Sequence, residues 1–503
     1  MEDPLAEFAS AAHTTDPADL FVRLYDELPD ELFTGWTVPE WYDDPEVRRQ
    51  ANQISEIVLV LGELDSDLVA RLVRDDGHRG RFTVLLGLDI ALAHANPYGP
   101  YSDSPALSHV LIRYELSGRF NGEGTTGALL PRCAFPGRPR GLPAKADYFG
   151  VHRVPEAHME RIGHRLLPKR NDAYFPRDVP VTVGCAPLLE SYTDIEIKFE
   201  QRYGMSVYRL RPANHDALRA RITSIIERLD ASGARLAVIP EATLSDELLE
   251  HWRQTAYETA RNDRETSPLR FLLVGSGPLG PDDPPPNRAV LIDRWTGEDL
   301  LVQDKMAGFT LDARQMRQWG LPGAPVEGSP AEYMTPGTTI GLLDGALGRI
   351  AIMICEDLGQ SIRWERELKS CGVSHLLIPI FSKPILRFRW EQQGAERQVT
   401  EIGSWVVVSN SLAVGAAIDE KELPEPRYTC LVAGPEDIDR SSYGIEVQLG
   451  RAAAGDEPGL VVPDASIVDS GRAPRRAGAD PRTPVLPTVL PGADYDGWHD
   501  HWR

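Results

Sequence analysis

The stretch GRIAIMICEDLG, residues 348–359, decides how this chain reads. Ile350 to Ile354 form a run of apolar residues rich in isoleucine, and such a run without alternation is the pattern of a strand buried on both faces. Cys355 closes the run, immediately before two carboxylates and a glycine. Ligands gather at the carboxyl ends of strands in α/β sheets, so Cys355 stands where a nucleophile belongs. Two other strand ends lie upstream. LAVIPEAT, residues 236–243, runs into Glu241, and LLVQDKMAGF, residues 300–309, carries Lys305 just past Leu300 to Val302. A carboxylate, an amine and a thiol delivered at three strand ends form a set that can run acyl transfer.

Working outward, strands and helices alternate. HDALRARITSIIERLDASG, residues 215–233, places Leu218, Ile222, Ile225, Ile226 and Leu229 on one helical stripe, with Gly233 as its stop. SDELLEHWRQTAYETARN reads as a second amphipathic helix, LRFLLVGS as a strand, and NRAVLIDRWTGEDLLVQDK as a hairpin turning near Thr296 and Gly297. Beyond Cys355 the order is helix (RWERELKSCG), strand (HLLIPIF), helix (WEQQGAERQVTEIG) and strand (SWVVVSNS). YTCLVAG, YGIEVQLG and PGLVVPDASIV follow as further strands. This is a layered α/β pattern.

Residues 1–175 differ. Helical spacing in EIVLVLGELDSDLVARLV and Gly/Pro clusters such as NPYGPYSDSP and FPGRPRGLP mark a mainly helical domain without a catalytic motif, and FPRDVP at 175–180 is its boundary. The Pro-, Gly- and Arg-rich residues 471–503 read as an extended tail.

Bulk properties narrow the function. A chain of 503 residues with 42% apolar and 25% charged content is globular and long enough for two domains. The net charge of -22 argues against nucleic acid or an anionic membrane as partner. The five cysteines are too scattered for a disulfide framework, and Glu2, Asp3 and Glu7 do not suit a secretory start, so a cytoplasmic location is expected. FTVLLGLDIALAHA is broken by Asp89 and is too short to span a bilayer; it reads as a buried element.

Three segments, in order, resemble the signature regions of the nitrilase, or carbon–nitrogen hydrolase, superfamily: LAVIPEATLS with Glu241, NRAVLIDRWTGEDLLVQDKMAGF with Lys305, and GRIAIMICEDLGQ with Cys355. HLLIPIFS and AERQVTEIGSWVVVSNS extend the resemblance, which covers residues 178–470. It implies a four-layer αββα sandwich, a Cys355 nucleophile, Glu241 as its base, Lys305 with the backbone N–H of Glu356 as oxyanion donors, a homo-oligomer, and no metal or organic cofactor. The family also carries a second site glutamate. Glu332 in AEYMTPG is one match, and Glu327 is the other. The longer ARQMRQWGLPGAP between Lys305 and Glu332 reads as a lid or specificity element.

A single cysteine at a strand end is more often inert core than nucleophile; its context reverses that here. Glu356 and Asp357 read as charges at a helix N-terminus, and Glu356 is given a backbone role alone. Cys133, Cys185, Cys371 and Cys430 read as structural, and His375 as a satisfied core histidine. Phe381, Ser382 and Trp390 fall where the family's substrate pocket lies, although core positions suit them equally. GSGPLG, Gly275 to Gly280, has the letters of a dinucleotide fingerprint, but Pro278 and PDDPPPN bar the helix it needs. The sequence therefore favours hydrolysis of a small-molecule amide, amidase over nitrilase. Two alternatives stand beside it: a regulatory or scaffold protein that uses the fold for binding, and a glutaminase-type ammonia supplier, which CEDL resembles although no GxxxxGK[ST] loop is present.

Overall fold

The computed structural model describes residues 16–35, 37–94, 107–117, 119–120, 126–131, 145–167, 181–263, 267–345, 347–418, 423, 427–436 and 444–461. Cys133, the Gly/Pro clusters at 96–105 and 135–143, the boundary at 175–180 and the tail 471–503 lie outside them.

The apolar run before Cys355 becomes strand β13, Gly348–Ile352, buried throughout. Its neighbours explain the composition: β14 (His375–Ile380) lies parallel on one side and β12 (Ile340–Gly345) antiparallel on the other, so both edges and both faces of β13 are covered. β14 pairs parallel with β15 (Trp405–Asn410), also buried along its length. β16 (Cys430–Glu436) and β17 (Gly444–Gly450) continue antiparallel to complete one side of a seven-stranded sheet. The second sheet has six strands: β10 (Asp299–Asp304), β9 (Asn287–Asp293), β8 (Phe271–Pro278), β7 (Leu236–Val238), β4 (Val183–Cys185) and β18 (Gly459–Val461).

Side-chain alternation along the second sheet makes the layers. Ala237, Ile239, Leu272, Val274, Val290 and Ile292 join the stripe Leu218, Ile222, Ile225, Ile226 and Leu229 of helix His215–Ala231 in one core. Their alternates Leu236, Val238, Phe271, Leu273, Ala289 and Leu291 join a second core with residues of the seven-stranded sheet, such as Ile350, Ile352, Leu376 and Ile378. Helix Trp390–Ile402 packs against β15 and β16. The result is the four-layer αββα sandwich.

The hairpin turn falls at the expected place, with Gly297 at φ 70° between β9 and β10. GSGP lies within strand β8, and no helix opens there. His375 is buried with Nδ1 2.8 Å from the Ser374 hydroxyl.

The described N-terminal residues are mainly helical, with helices Pro17–Glu27, Pro45–Leu61 and Ser108–Ser117 and the helical segment Ser66–His94, broken by a kink at Gly77 (φ 56°), around Phe21, Phe33, Phe82, Tyr148 and Phe149. Asp89 sits inside the apolar stretch of helix Ser66–His94 because its carboxylate accepts the N–H groups of Gly150 (2.7 Å) and Val151 (3.1 Å). Strand β3 (Ile162–Leu166) adds to the edge of the seven-stranded sheet, parallel to β12. The seven-stranded sheet thus draws a strand from before residues 175–180, the boundary expected from the sequence. His158 Nδ1 lies 2.8 Å from the Ser370 hydroxyl and the Arg161 guanidinium sits 4.1 Å over the Trp364 ring, so this region also covers the segment that follows Cys355. Among the described residues, no helix is long and apolar enough to cross a membrane.

Candidate active site

Glu241, Lys305 and Cys355 leave three strand ends and meet. The backbone turns sharply at Cys355, whose φ of 49° and ψ of -100° lie in a region that side-chain-bearing residues rarely occupy. Such a conformation costs about 1–3 kcal/mol and persists only where the surroundings enforce it. Here Cys355 N–H donates to the Pro379 carbonyl at 3.0 Å, and the chain enters the short helix Glu356–Gly359. Asp357 supplies the remaining constraint. Its carboxylate accepts the N–H groups of Ile354 (3.0 Å), Met306 (3.1 Å) and Ala307 (2.7 Å), tying the Cys355 turn to the Lys305 loop. Asp357, read from sequence as a helix-terminal charge, is fully buried.

Glu241 follows β7, and Ala242 after it also has positive φ, at 66°. This loop lies so close to Gly275 that a Cβ there would stand 2.0 Å from Thr243 Oγ1 and 2.4 Å from the Pro240 carbonyl. The glycine is required by that approach rather than by a dinucleotide. Glu241 Oε1 accepts from Lys305 Nζ at 2.7 Å and from Asn287 Nδ2 at 2.9 Å, and Oε2 accepts the Phe381 N–H at 3.1 Å. Glu332 Oε2 accepts from Lys305 Nζ at 2.7 Å and from Phe309 N–H at 3.1 Å, while its Oε1 accepts from Asn287 Nδ2 at 2.9 Å. One ammonium and one amide thus hold two carboxylates as a ring. Glu332 is the carboxylate brought into the cluster; Glu327 lies exposed.

Burial sets the protonation states. Lys305 is 1% exposed, and burial alone pulls its pKa down, but the flanking charges of Glu241 and Glu332 outweigh it and hold the ammonium well above its ordinary value. Burial raises Glu241, against the opposing pull of Lys305. Cys355 is pushed well above an ordinary thiol by burial and by the charge of Glu241, which its thiol faces. It rests as a thiol with a carboxylate poised to take its proton. Asp357 is raised to about 7 by burial, against the N–H groups it accepts.

Sequence reasoning missed Asn287 and the hairpin that carries one wall. Strands β5 (Ile195–Arg202) and β6 (Met205–Pro212) pair antiparallel through a turn at Tyr203 and Gly204, both with positive φ. β6 then pairs with β11 (Ala331–Glu332), setting Glu332 opposite Tyr208. The alternation Ile195-Glu-Ile-Lys-Phe199 and the Tyr203-Gly204 turn were the available signals. The segment ARQMRQWGLPGAP folds as helix Ala313–Trp319 with Met316, Trp319 and Leu321 buried. Phe381 and Ser382 are buried beside Glu241 and Asn410.

Asp357→Asn tests the stitch between the two loops. An amide in place of the carboxylate leaves backbone N–H groups without acceptors, each costing about 1–3 kcal/mol. A matching loss of unfolding free energy together with a lowered kcat is expected. Unchanged values for both would show that Asp357 positions nothing.

No protein-family model and no curated protein matches this chain. Among solved structures it is similar to Nit3 of Saccharomyces cerevisiae, a member of branch 10 of the nitrilase superfamily, at 13% identity over 58% of this chain and 92% of that one, TM-score 0.36. A second is an amidase of the nitrilase superfamily from Nesterenkonia AN1, at 16% identity over 58% of this chain and 95% of that one, TM-score 0.33. A third is a glutamine-dependent NAD+ synthetase from Acinetobacter baumannii, at 12% identity over 57% of this chain and 48% of that one, TM-score 0.32.

Proposed function

We propose that this chain is a carbon–nitrogen hydrolase of the nitrilase type, cleaving an amide through a thioester on Cys355. One observation carries the reading: Lys305 Nζ stands 2.7 Å from Glu241 Oε1 and 2.7 Å from Glu332 Oε2, beside a cysteine held at positive φ. Two N–H bonds of the ammonium are spent on carboxylates; among the described residues the third has no acceptor and can meet a developing oxyanion. Glu241 takes the Cys355 proton as sulfur attacks the amide carbon. The oxyanion is met by Lys305 Nζ and the Glu356 N–H, which begins the short helix. Protonated Glu241 gives its proton to the leaving nitrogen, which departs as ammonia or an amine. Water, deprotonated by Glu241, then attacks the thioester and releases the acid.

A panel of amides, carbamoyl compounds, glutamine and nitriles, assayed for ammonia release, tests this. At least one amide should be turned over, and Cys355→Ser should lose activity by a factor of about 10³ or more. Full turnover by Cys355→Ser would remove the mechanism. The pH profile has a defined sign. Glu241 works as a base, so activity is complete above its pKa and falls as pH drops through it. Because burial raises that pKa, the acid limb of kcat/KM should lie above the ordinary carboxylate value of about 4.3. A limb at or below that value would contradict Glu241 as the base.

A further inference from the structure

Strand β6 brings one more polar group to the catalytic cluster. It pairs parallel with β11 so that Tyr208 stands beside Glu332, and register partners on neighbouring strands turn their side chains to the same face. Glu332 reaches Lys305 Nζ on that face, so the Tyr208 ring runs toward the same ammonium. Arg209, one residue on, is turned to the opposite face. Two contacts fix the place of the ring. The Tyr333 N–H donates to the Tyr208 carbonyl at 2.9 Å, and Phe199, opposite Tyr208 on β5, packs against it with ring centroids 6.3 Å apart.

The hydroxyl at the end of that ring is unspent. Tyr208 is 3% exposed, yet among the described residues its hydroxyl makes no hydrogen bond and is not sealed from solvent. Burial pushes its pKa well above that of an ordinary tyrosine, and the charges of Glu332, Glu241 and Cys355 push the same way against the pull of Lys305. The groups that act on it are thus the catalytic set itself, and it stays protonated, a donor and an acceptor at once.

Glu332 has room for that donor. A carboxylate offers about four lone-pair sites. Glu332 Oε2 accepts from Lys305 Nζ and Phe309 N–H, and Oε1 accepts from Asn287 Nδ2 alone, so one site on Oε1 is open. Glu241 is filled the same way, by Lys305 and Asn287 on Oε1 and by the Phe381 N–H on Oε2, and its open site serves the Cys355 thiol. The leaving nitrogen needs an acceptor in turn. As Glu241 protonates it, its N–H bonds become stronger donors, and a buried donor without a partner is costly.

We propose that Tyr208 is a further catalytic residue: its oxygen accepts an N–H of the leaving nitrogen while its own O–H donates to the open site on Glu332. Tyr208 keeps its proton throughout, and the proton that the nitrogen gains comes from Glu241. This rests on the hydrolase reading above and adds to it a contact that an amide can make and an ester, whose leaving group has no N–H, cannot.

An amide from the active panel and the para-nitrophenyl ester of the same acid, given to the native chain and to Tyr208→Phe, provide the test. The amide-to-ester ratio of kcat/KM on one sample does not depend on how much of that sample is folded. Tyr208→Phe should lower kcat/KM for the amide about tenfold and leave the ester within about twofold. Its urea midpoint should stay at the native value, because no hydrogen bond of the free protein is lost. An amide kcat/KM within about twofold of native, or an equal fall for amide and ester, would overturn the role of Tyr208 and leave Cys355-dependent hydrolysis standing. Should the native chain leave the ester intact, the amide rate and the midpoint decide, and a midpoint lowered along with the rate would overturn the role. Turnover of no amide by the native chain would remove the hydrolase reading, and this inference with it.

Discussion

Lys305→Met is expected to remove turnover and to destabilise the fold at once. The ammonium is buried, with side-chain exposures of 2% for Lys305, 4% for Glu241 and 9% for Glu332, so its loss leaves two carboxylates facing each other away from water. Removing one partner from a buried ion pair typically costs about 3–5 kcal/mol. Losing one oxyanion donor lowers kcat by about 10²–10³. Glu241, raised by burial and no longer pulled down by Lys305, would then bind its proton more tightly folded than unfolded. The variant's stability should therefore be best in acid and decline as pH rises, a dependence that loss of a remote surface lysine would not introduce. Urea unfolding at several pH values, beside steady-state kinetics, reads both effects. A kcat within threefold of the native value would exclude Lys305 from the chemistry.

Arg349→Leu should have a comparable effect on stability at a place remote from the amide. Arg349 and Asp344 are both fully buried, and Nε and Nη2 donate to the two carboxylate oxygens at 2.6 and 2.7 Å. The Tyr114 hydroxyl donates to the same carboxylate at 2.6 Å, and His164 Nε2 lies 2.9 Å from it. Burial would raise the Asp344 carboxyl, but Arg349 and His164 outweigh it and hold it below the usual range. Tyr114 and His164 belong to the N-terminal residues, so this one carboxylate joins them to the seven-stranded sheet. Arg349→Leu strands Asp344 in the core, with an expected loss of about 3–5 kcal/mol. The double variant Asp344→Leu with Arg349→Leu removes both charges and should recover much of that loss. A single variant within about 1 kcal/mol of native would show that the network carries little.

What was legible in the sequence had a local period. The buried stripe from Leu218 to Leu229, the unbroken apolar run of β13 and the Thr296–Gly297 turn are each written within a score of residues, and each lies where its pattern puts it. What was not legible depends on partners far along the chain. Asp357 looks like a helix-terminal charge until residues 306 and 307 are brought against it. Glu332 differs from Glu327 because β6 pairs with β11 and turns its carboxylate to Lys305. β3 reads as part of a helical region, and only β12, far along the chain, makes it a sheet edge. In the β5–β6 hairpin the alternation was present, but its place beside the site came from β11, with which β6 pairs.

During turnover Cys355 should carry the acyl group. Rapid acid quench of the native chain during turnover of an amide from the active panel, followed by mass measurement of its peptides, tests it most directly, with hydroxylamine added in parallel to intercept a slowly accumulating thioester. An adduct of the acyl mass is expected on the peptide containing Cys355, lost on hydroxylamine treatment, with acyl hydroxamate formed in its place. Turnover with neither adduct nor hydroxamate, or an adduct on Cys371 instead, would contradict it.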